Sequence, residues 1–71
     1  MTDDRVLRVG ERIRALRLQL NLSQEALGEL ASLDRSYMGQ VERGEKNITL
    51  INVFKISDAL EVEPHMLFTD L

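Results

Sequence analysis

The sequence predicts a compact all-α fold of five short helices, at about 3–20, 24–31, 35–43, 50–60 and 64–68, in a single domain spanning residues 1–71. Three observations carry this reading. The apolar–polar alternation of a half-buried strand is absent. Four segments open with one pattern, a polar or acidic residue flanked by an apolar pair five positions apart. The single proline and four glycines are scattered and leave no linker.

The first helix is expected to start near Thr2, with Asp3 and Asp4 at the positive end of its dipole. Its apolar stripe, Val6, Val9, Ile13, Leu16 and Leu20, follows 3, 4, 3, 4 spacing, and Asn21 suits a left-handed terminator. The next four starts are marked by Leu22/Leu27 around Ser23, Leu33/Met38 around Asp34, Ile48/Val53 around Thr49 and Val62/Leu67 around Glu63. In each, the residue before the cap can fold onto the fourth helical residue as a hydrophobic staple, while the cap oxygen accepts an orphan backbone N–H. Glu63 is the weakest cap, although Pro64 suits a first helical turn. Gly44 ends the third helix, and Ser32-Leu33 leaves only a short turn between the second and third.

Composition bounds the function. The 71 residues include no cysteine and one histidine, His65, so no disulfide and no metal site is expected, although a domain this small buries only about 60% of its unfolded surface. No apolar run nears the roughly 20 residues of a membrane span. The start, Met1-Thr2-Asp3-Asp4, is acidic where a signal peptide is basic. A cytoplasmic protein without cofactors is the expectation. An enzyme is disfavoured because there is no cysteine nucleophile, no partner for His65 and no GxSxG, and Gly10, Gly28, Gly39 and Gly44 make no phosphate loop. The net charge of −3 argues against nucleic acid until it is divided: residues 1–22 carry +2, 23–48 carry −2 and 49–71 carry −3. The strongest acidic excess is thus at the far end of the chain, and Arg35, Arg43 and Lys46 can form a local positive edge.

Two short helices joined by a tight turn raise a helix-turn-helix at about 24–43 on spacing alone. Leu27, Gly28, Ala31, Leu33, Met38 and Val41 would face inward. Arg35, Ser36, Tyr37, Gly39, Gln40 and Arg43 would face outward, a surface rich in donors and poor in bulk.

The segment GERIRALRLQLNLSQEALGELASLDRSYMGQVERGEKNITL resembles the phage-repressor-like (Cro/repressor type) helix-turn-helix family, and within it the controller proteins of restriction-modification systems. The likeness runs from Val9 to Phe68 and departs at Gly28, where alanine is usual, and at Ser32, where glycine is usual. It implies a sequence-specific transcription regulator. Such a protein would bind an inverted-repeat operator in double-stranded DNA as a homodimer, with two dimers at one promoter. It would control its own gene and an endonuclease gene by activation and repression. A phage-type repressor, an antitoxin-like autoregulator and a protein-interaction module of the same fold stand as alternatives.

The resemblance makes Arg35 a base-reading residue at the start of the recognition helix, bidentate to guanine; otherwise it is a solvated arginine paired with Asp34 or Glu42. Ser36 and Gln40 would meet bases or phosphates. Tyr37 would meet a thymine methyl or a phosphate, or else serve as a half-buried packing group. Gln24 would grip a phosphate beside helix-terminal N–H groups, or else face solvent. Arg43, Lys46 and Asn47 are phosphate candidates, with Asn47 otherwise capping its loop. Arg17 and Glu42 would form an ion pair between the first and recognition helices, and Arg12 and Arg14 a solvated face.

In the fourth helix, Leu50, Val53, Ile56 and Leu60 fit one stripe, and Ile51 and Phe54 project away from it. With Pro64, His65, Met66, Phe68 and Leu71 these two would form the homodimer surface, or else bury against the last helix of the same chain. Glu25 and Glu29, one turn apart, could face a basic patch on the RNA polymerase sigma subunit, or be a plain solvated face.

Overall fold

The computed structural model describes residues 3–71, so Thr2 lies outside the described residues. Four α-helices, α1 (Asp4–Gln19), α2 (Gln24–Ala31), α3 (Arg35–Glu42) and α4 (Leu50–Leu60), are followed by a short 3-10 helix, Pro64–Phe68. Among the described residues there is no strand, and no helix is long and apolar enough to cross a membrane. The fifth element is therefore not α-helical. Glu63 makes no side-chain cap bond, Pro64 has no N–H to contribute, and five residues close only i to i+3 bonds such as Met66 N–H to the Glu63 carbonyl at 2.9 Å.

The starts follow cap chemistry. Ser23 accepts from the Ala26 N–H at 2.9 Å, Asp34 from Tyr37 at 3.3 Å and Thr49 from Asn52 at 3.2 Å. The staple partners Leu27, Met38, Val53 and Leu67 are all buried, and Leu22, Leu33, Ile48 and Val62 pack against that core. At α1 the cap is Asp3, which accepts from the Arg5 N–H at 2.8 Å. The Arg5 guanidinium, bonded to the same carboxylate, helps hold the Asp3 carboxyl down at about 2. This exposed cap thus keeps its charge until the pH falls through that value.

All four α-helices end alike. A residue with positive φ, Asn21 (58°), Ser32 (58°), Gly44 (74°) or Glu61 (60°), reverses the chain after each. The N–H groups of this residue and the next then bond back three and five residues, as in Ser32 to Glu29 at 3.2 Å and Leu33 to Gly28 at 2.8 Å. Three connections are consequently one repeated unit of left-handed residue, apolar residue and N-cap: Asn21-Leu22-Ser23, Ser32-Leu33-Asp34 and Glu61-Val62-Glu63. The central apolar residue closes one helix and staples the next. Ser32, for all its departure from glycine, adopts the same backbone as Asn21 and Glu61.

The core joins Val9, Ile13 and Leu16 of α1, Leu27 and Ala31 of α2, Met38 and Val41 of α3, Val53, Ile56 and Leu60 of α4, and Leu67. Three expected stripe members fall outside it, the first being Val6 in the opening turn of α1, which is only half-buried. Leu20 is exposed because α1 ends at Gln19, and Leu50 is 69% exposed. Side chains lean toward a helix N-terminus, so Leu50, the first residue of α4, overhangs solvent and not the core.

Gly10 is where α1 crosses α3: a Cβ there would lie 2.6 Å from the Glu42 carbonyl oxygen, a backbone atom that cannot swing aside. Gly10→Ala should accordingly lower stability by about 1–3 kcal/mol despite alanine's better helix propensity. A urea midpoint equal to or above that of the parent chain would contradict this packing.

Candidate nucleic-acid interface

Beneath the outward face of α3 lies a buried ion pair. Arg17, near the end of α1, donates from Nε to Glu42 Oε2 at 2.7 Å and from Nη2 to Oε1 at 2.9 Å, and its Nη1 donates to the Leu22 carbonyl at 2.8 Å. Both side chains are buried, and the bonds to Glu42 push the Arg17 guanidinium further above its already high pKa. Glu42 Oε1 also accepts from Gln24 Nε2 at 3.1 Å. That bond defines the amide orientation of Gln24: its nitrogen faces the carboxylate, and its oxygen and second N–H are left for other partners. Gln24 is half-buried, not a free surface glutamine.

Above this pair, Gln24, Arg35, Ser36, Gly39, Gln40 and Arg43 line one polar cleft on the outward side of α3. The bare Cα of Gly39 makes it possible. A Cβ there would lie 3.0 Å from Arg43 Nη1 and 3.5 Å from Gln24 Oε1, so glycine lets both groups lie close over the helix. Arg35 is well exposed and its nearest carboxylate is Glu25, 3.8 Å from Nη1. Neither Asp34 nor Glu42 is its partner, because Asp34 caps α3 and Glu42 is held by Arg17. Arg43 donates from Nε and Nη2 to Glu45 at 2.9 and 3.3 Å, which raises its pKa and lowers that of Glu45.

The helix-turn-helix family profile matches residues 13–67. Control protein C.BamHI of Bacillus amyloliquefaciens is 43% identical over 65 residues, 90% of this chain and 80% of that protein. The crystal structure of the restriction-modification controller protein C.AhdI from Aeromonas hydrophila superposes with a TM-score of 0.91 at 47% identity, covering 93% of this chain and 100% of that one. The chain belongs to the helix-turn-helix family, among the restriction-modification controller proteins. Its fold also matches the P22 c2 repressor solved in complex with a synthetic operator, with a TM-score of 0.80 and 36% identity over 86% of this chain and 92% of that one. The family is one of DNA-binding transcription regulators.

In this controller-family chain the cleft gathers five of the residues singled out as DNA contacts, Gln24, Arg35, Ser36, Gln40 and Arg43. The other three lie elsewhere. Tyr37 is half-buried against the core, and its hydroxyl accepts from Asn52 Nδ2 at 3.0 Å, so it ties α3 to α4 and does not line the cleft. Lys46 and Asn47 are exposed on the loop after α3 and line a separate, mainly apolar hollow with Val6, Phe68 and Leu71. Arg12 is not fully solvated: it is half-buried, and its Nε donates to the Met66 carbonyl at 3.1 Å, fastening the 3-10 helix to α1. Arg14 is exposed. Glu25 and Glu29 do not make an isolated acidic face, since Glu25 stands against Arg35.

Ile51 is 67% and Phe54 49% exposed, and Phe68 and Leu71 are exposed beyond them, so these side chains are not buried within their own chain. His65 is exposed too, and Pro64 and Met66 are half-buried. Gly39, Glu45 and Asn52 went unread as site residues. Gly39 could have been found as the one position without a side chain on the donor-rich face of α3. Glu45 and Asn52 have no such signal, because their partners are set by the turn after α3 and by the α3–α4 packing.

Leaving one buried charge unpaired costs far more than removing both. Glu42→Ala should therefore destabilise the fold by about 3–5 kcal/mol, and Arg17→Met with Glu42→Leu should recover most of that loss in urea unfolding. A double variant no more stable than Glu42→Ala would show that packing, not charge pairing, dominates here.

Proposed function

We propose that this chain is a homodimeric, sequence-specific regulator of transcription that reads an inverted-repeat operator and controls its own gene and a restriction endonuclease gene, activating at low occupancy and repressing when a second dimer binds. The observation that carries the reading is the polar cleft on α3, where Arg35, Ser36, Gln40 and Arg43 converge with Gln24 on a helix sized for the major groove. Residues 1–71 act as one domain for both DNA binding and dimerisation. The protein works in the cytoplasm at the nucleoid, and nothing in the cleft calls for catalysis.

Arg35 is the principal base reader, with Ser36 and Gln40 beside it, and Tyr37 supports the helix from behind. Gln24, Arg43, Lys46 and Asn47 contact phosphates, which supply affinity without sequence information. Ile51, Phe54, Pro64, His65, Met66, Phe68 and Leu71 form the dimer surface. Covering the exposed apolar members adds burial that a small chain lacks. The twofold axis then sets two recognition helices about 34 Å apart, one turn of B-DNA. Glu29 with Glu25 is the surface offered to a basic patch of the RNA polymerase sigma subunit.

Arg35→Ala should weaken binding to a duplex selected from a random pool by about 1–3 kcal/mol per half-site and leave random-sequence duplex nearly unchanged in fluorescence anisotropy. With about eight phosphates neutralised per dimer, log affinity should fall with log salt at a slope of roughly −7. A slope near zero would rule out the phosphate contacts, and equal losses on both duplexes would refute direct readout. Phe54→Glu should convert the dimer to monomer in sedimentation velocity, and an unchanged sedimentation coefficient would move the interface elsewhere.

A further inference from the structure

Each arginine of the cleft carries its own exposed carboxylate. Arg35 Nη1 lies 3.8 Å from Glu25, contributed by the first turn of α2. Arg43 gives both Nε and Nη2 to Glu45, at 2.9 and 3.3 Å, across the left-handed backbone of Gly44. All four side chains are more than half exposed. The two glutamates belong to different elements, yet each stands beside one of the two arginines of the same cleft.

A guanidinium meets carboxylate and phosphate, or the O6 and N7 of guanine, through the same planar edge of paired N–H donors. It cannot give that edge to two anions at once. For Arg43 the occupied edge is the Nε–Nη2 edge, which leaves Nη1 and the second N–H of Nη2 free of Glu45. The mutual bond also favours the charged form of both partners, raising the pKa of Arg43 and lowering that of Glu45. The pairs differ in grip: Arg43–Glu45 is doubly hydrogen-bonded, whereas Arg35–Glu25 is an ion pair without a hydrogen bond.

We propose that Glu25 and Glu45 are built-in competitors for DNA, affinity-setting residues that in the free protein offset the charge of Arg35 and occupy the Nε–Nη2 edge of Arg43, and that give way when the cleft meets a phosphate or a base edge. The inference rests on the DNA-binding reading above. Exposed pairs of this kind are weak, so opening each reduces affinity by only about two- to fivefold per protomer, and by the square of that where two protomers bind. The displaced carboxylates are also left near phosphates, which adds to the effect.

The test compares the parent chain with Glu25→Gln, Glu45→Gln, the double variant and Asp58→Asn, which removes one exposed charge from α4, outside the cleft. Two labelled duplexes serve as probes, one selected from a random pool by the parent chain and one of random sequence. Glu45→Gln should tighten the selected duplex by about two- to fivefold per protomer, Glu25→Gln by less, and the double variant by about the product of the two. Asp58→Asn should change little because screening shortens its reach. The gain on the selected duplex should equal or exceed that on random duplex, since a random complex can leave the pairs closed. Melting temperatures should fall by no more than a few degrees, because the same weak pair is lost from the free fold.

Glutamine variants that bind no tighter than Asp58→Asn would overturn the proposal. Weaker binding would overturn it too, by showing that the carboxylates aim the arginines at DNA. A gain larger on random than on selected duplex would reduce the effect to bulk charge and overturn it as well. Failure of the parent chain to bind either duplex would instead remove the DNA-binding reading, and the inference with it.

Discussion

The buried bond between Arg17 and Glu42 holds the rest of the structure in place. A guanidinium and a carboxylate taken out of water must have their lone pairs and protons satisfied, or the desolvation cost exceeds their attraction. Here three helices and a turn meet that demand: α1 supplies Arg17, α3 supplies Glu42, the turn before α2 supplies the Leu22 carbonyl and the start of α2 the Gln24 amide. The angle between the two motif helices and their height above α1 are thus tied to one set of hydrogen bonds. The glycine crossing at Gly10, where α1 rests on the α3 backbone, brings the partners within reach.

From that anchor the polar order propagates outward to the cleft. Gln24 is oriented from below by Glu42, Gly39 leaves room above, and Arg43 lies over it. The cleft consequently has a floor of buried hydrogen bonds and a rim where Arg35 and Arg43 rest against exposed glutamates. This arrangement also accounts for the acidic balance of a DNA-binding chain. Net charge of −3 describes the whole molecule, whereas in the proposed reading recognition rests on a few guanidinium edges, each of which stands beside a carboxylate in the free chain.

Helix starts were the most legible part of the sequence because a cap and a staple are local: Ser23, Asp34 and Thr49 each need only the N–H three residues on, and Leu27, Met38 and Val53 only the apolar residue five before. Helix ends were partly legible. Asn21 and Gly44 announce left-handed backbone, but Ser32 and Glu61 adopt it against their own preference, because the apolar residue that follows each must be buried. Leu20 and Leu50 satisfy a spacing rule and still lie outside the core, since periodicity does not say where a helix stops or which way its first turn overhangs.

The sequence by itself determined an all-helical chain, the places where its helices begin, the donor-rich character of one helix face and its likeness to the controller proteins, all properties written in residues a turn or two apart. Only the tertiary structure decided that Tyr37 turns to Asn52, that Arg12 fastens the 3-10 helix, that Lys46 and Asn47 stand apart from the cleft, and that Arg35 and Arg43 rest on Glu25 and Glu45. Polar partners are chosen by whatever acceptor the packed backbone brings within about 3 Å, and that distance exists only once the helices have closed on their common core.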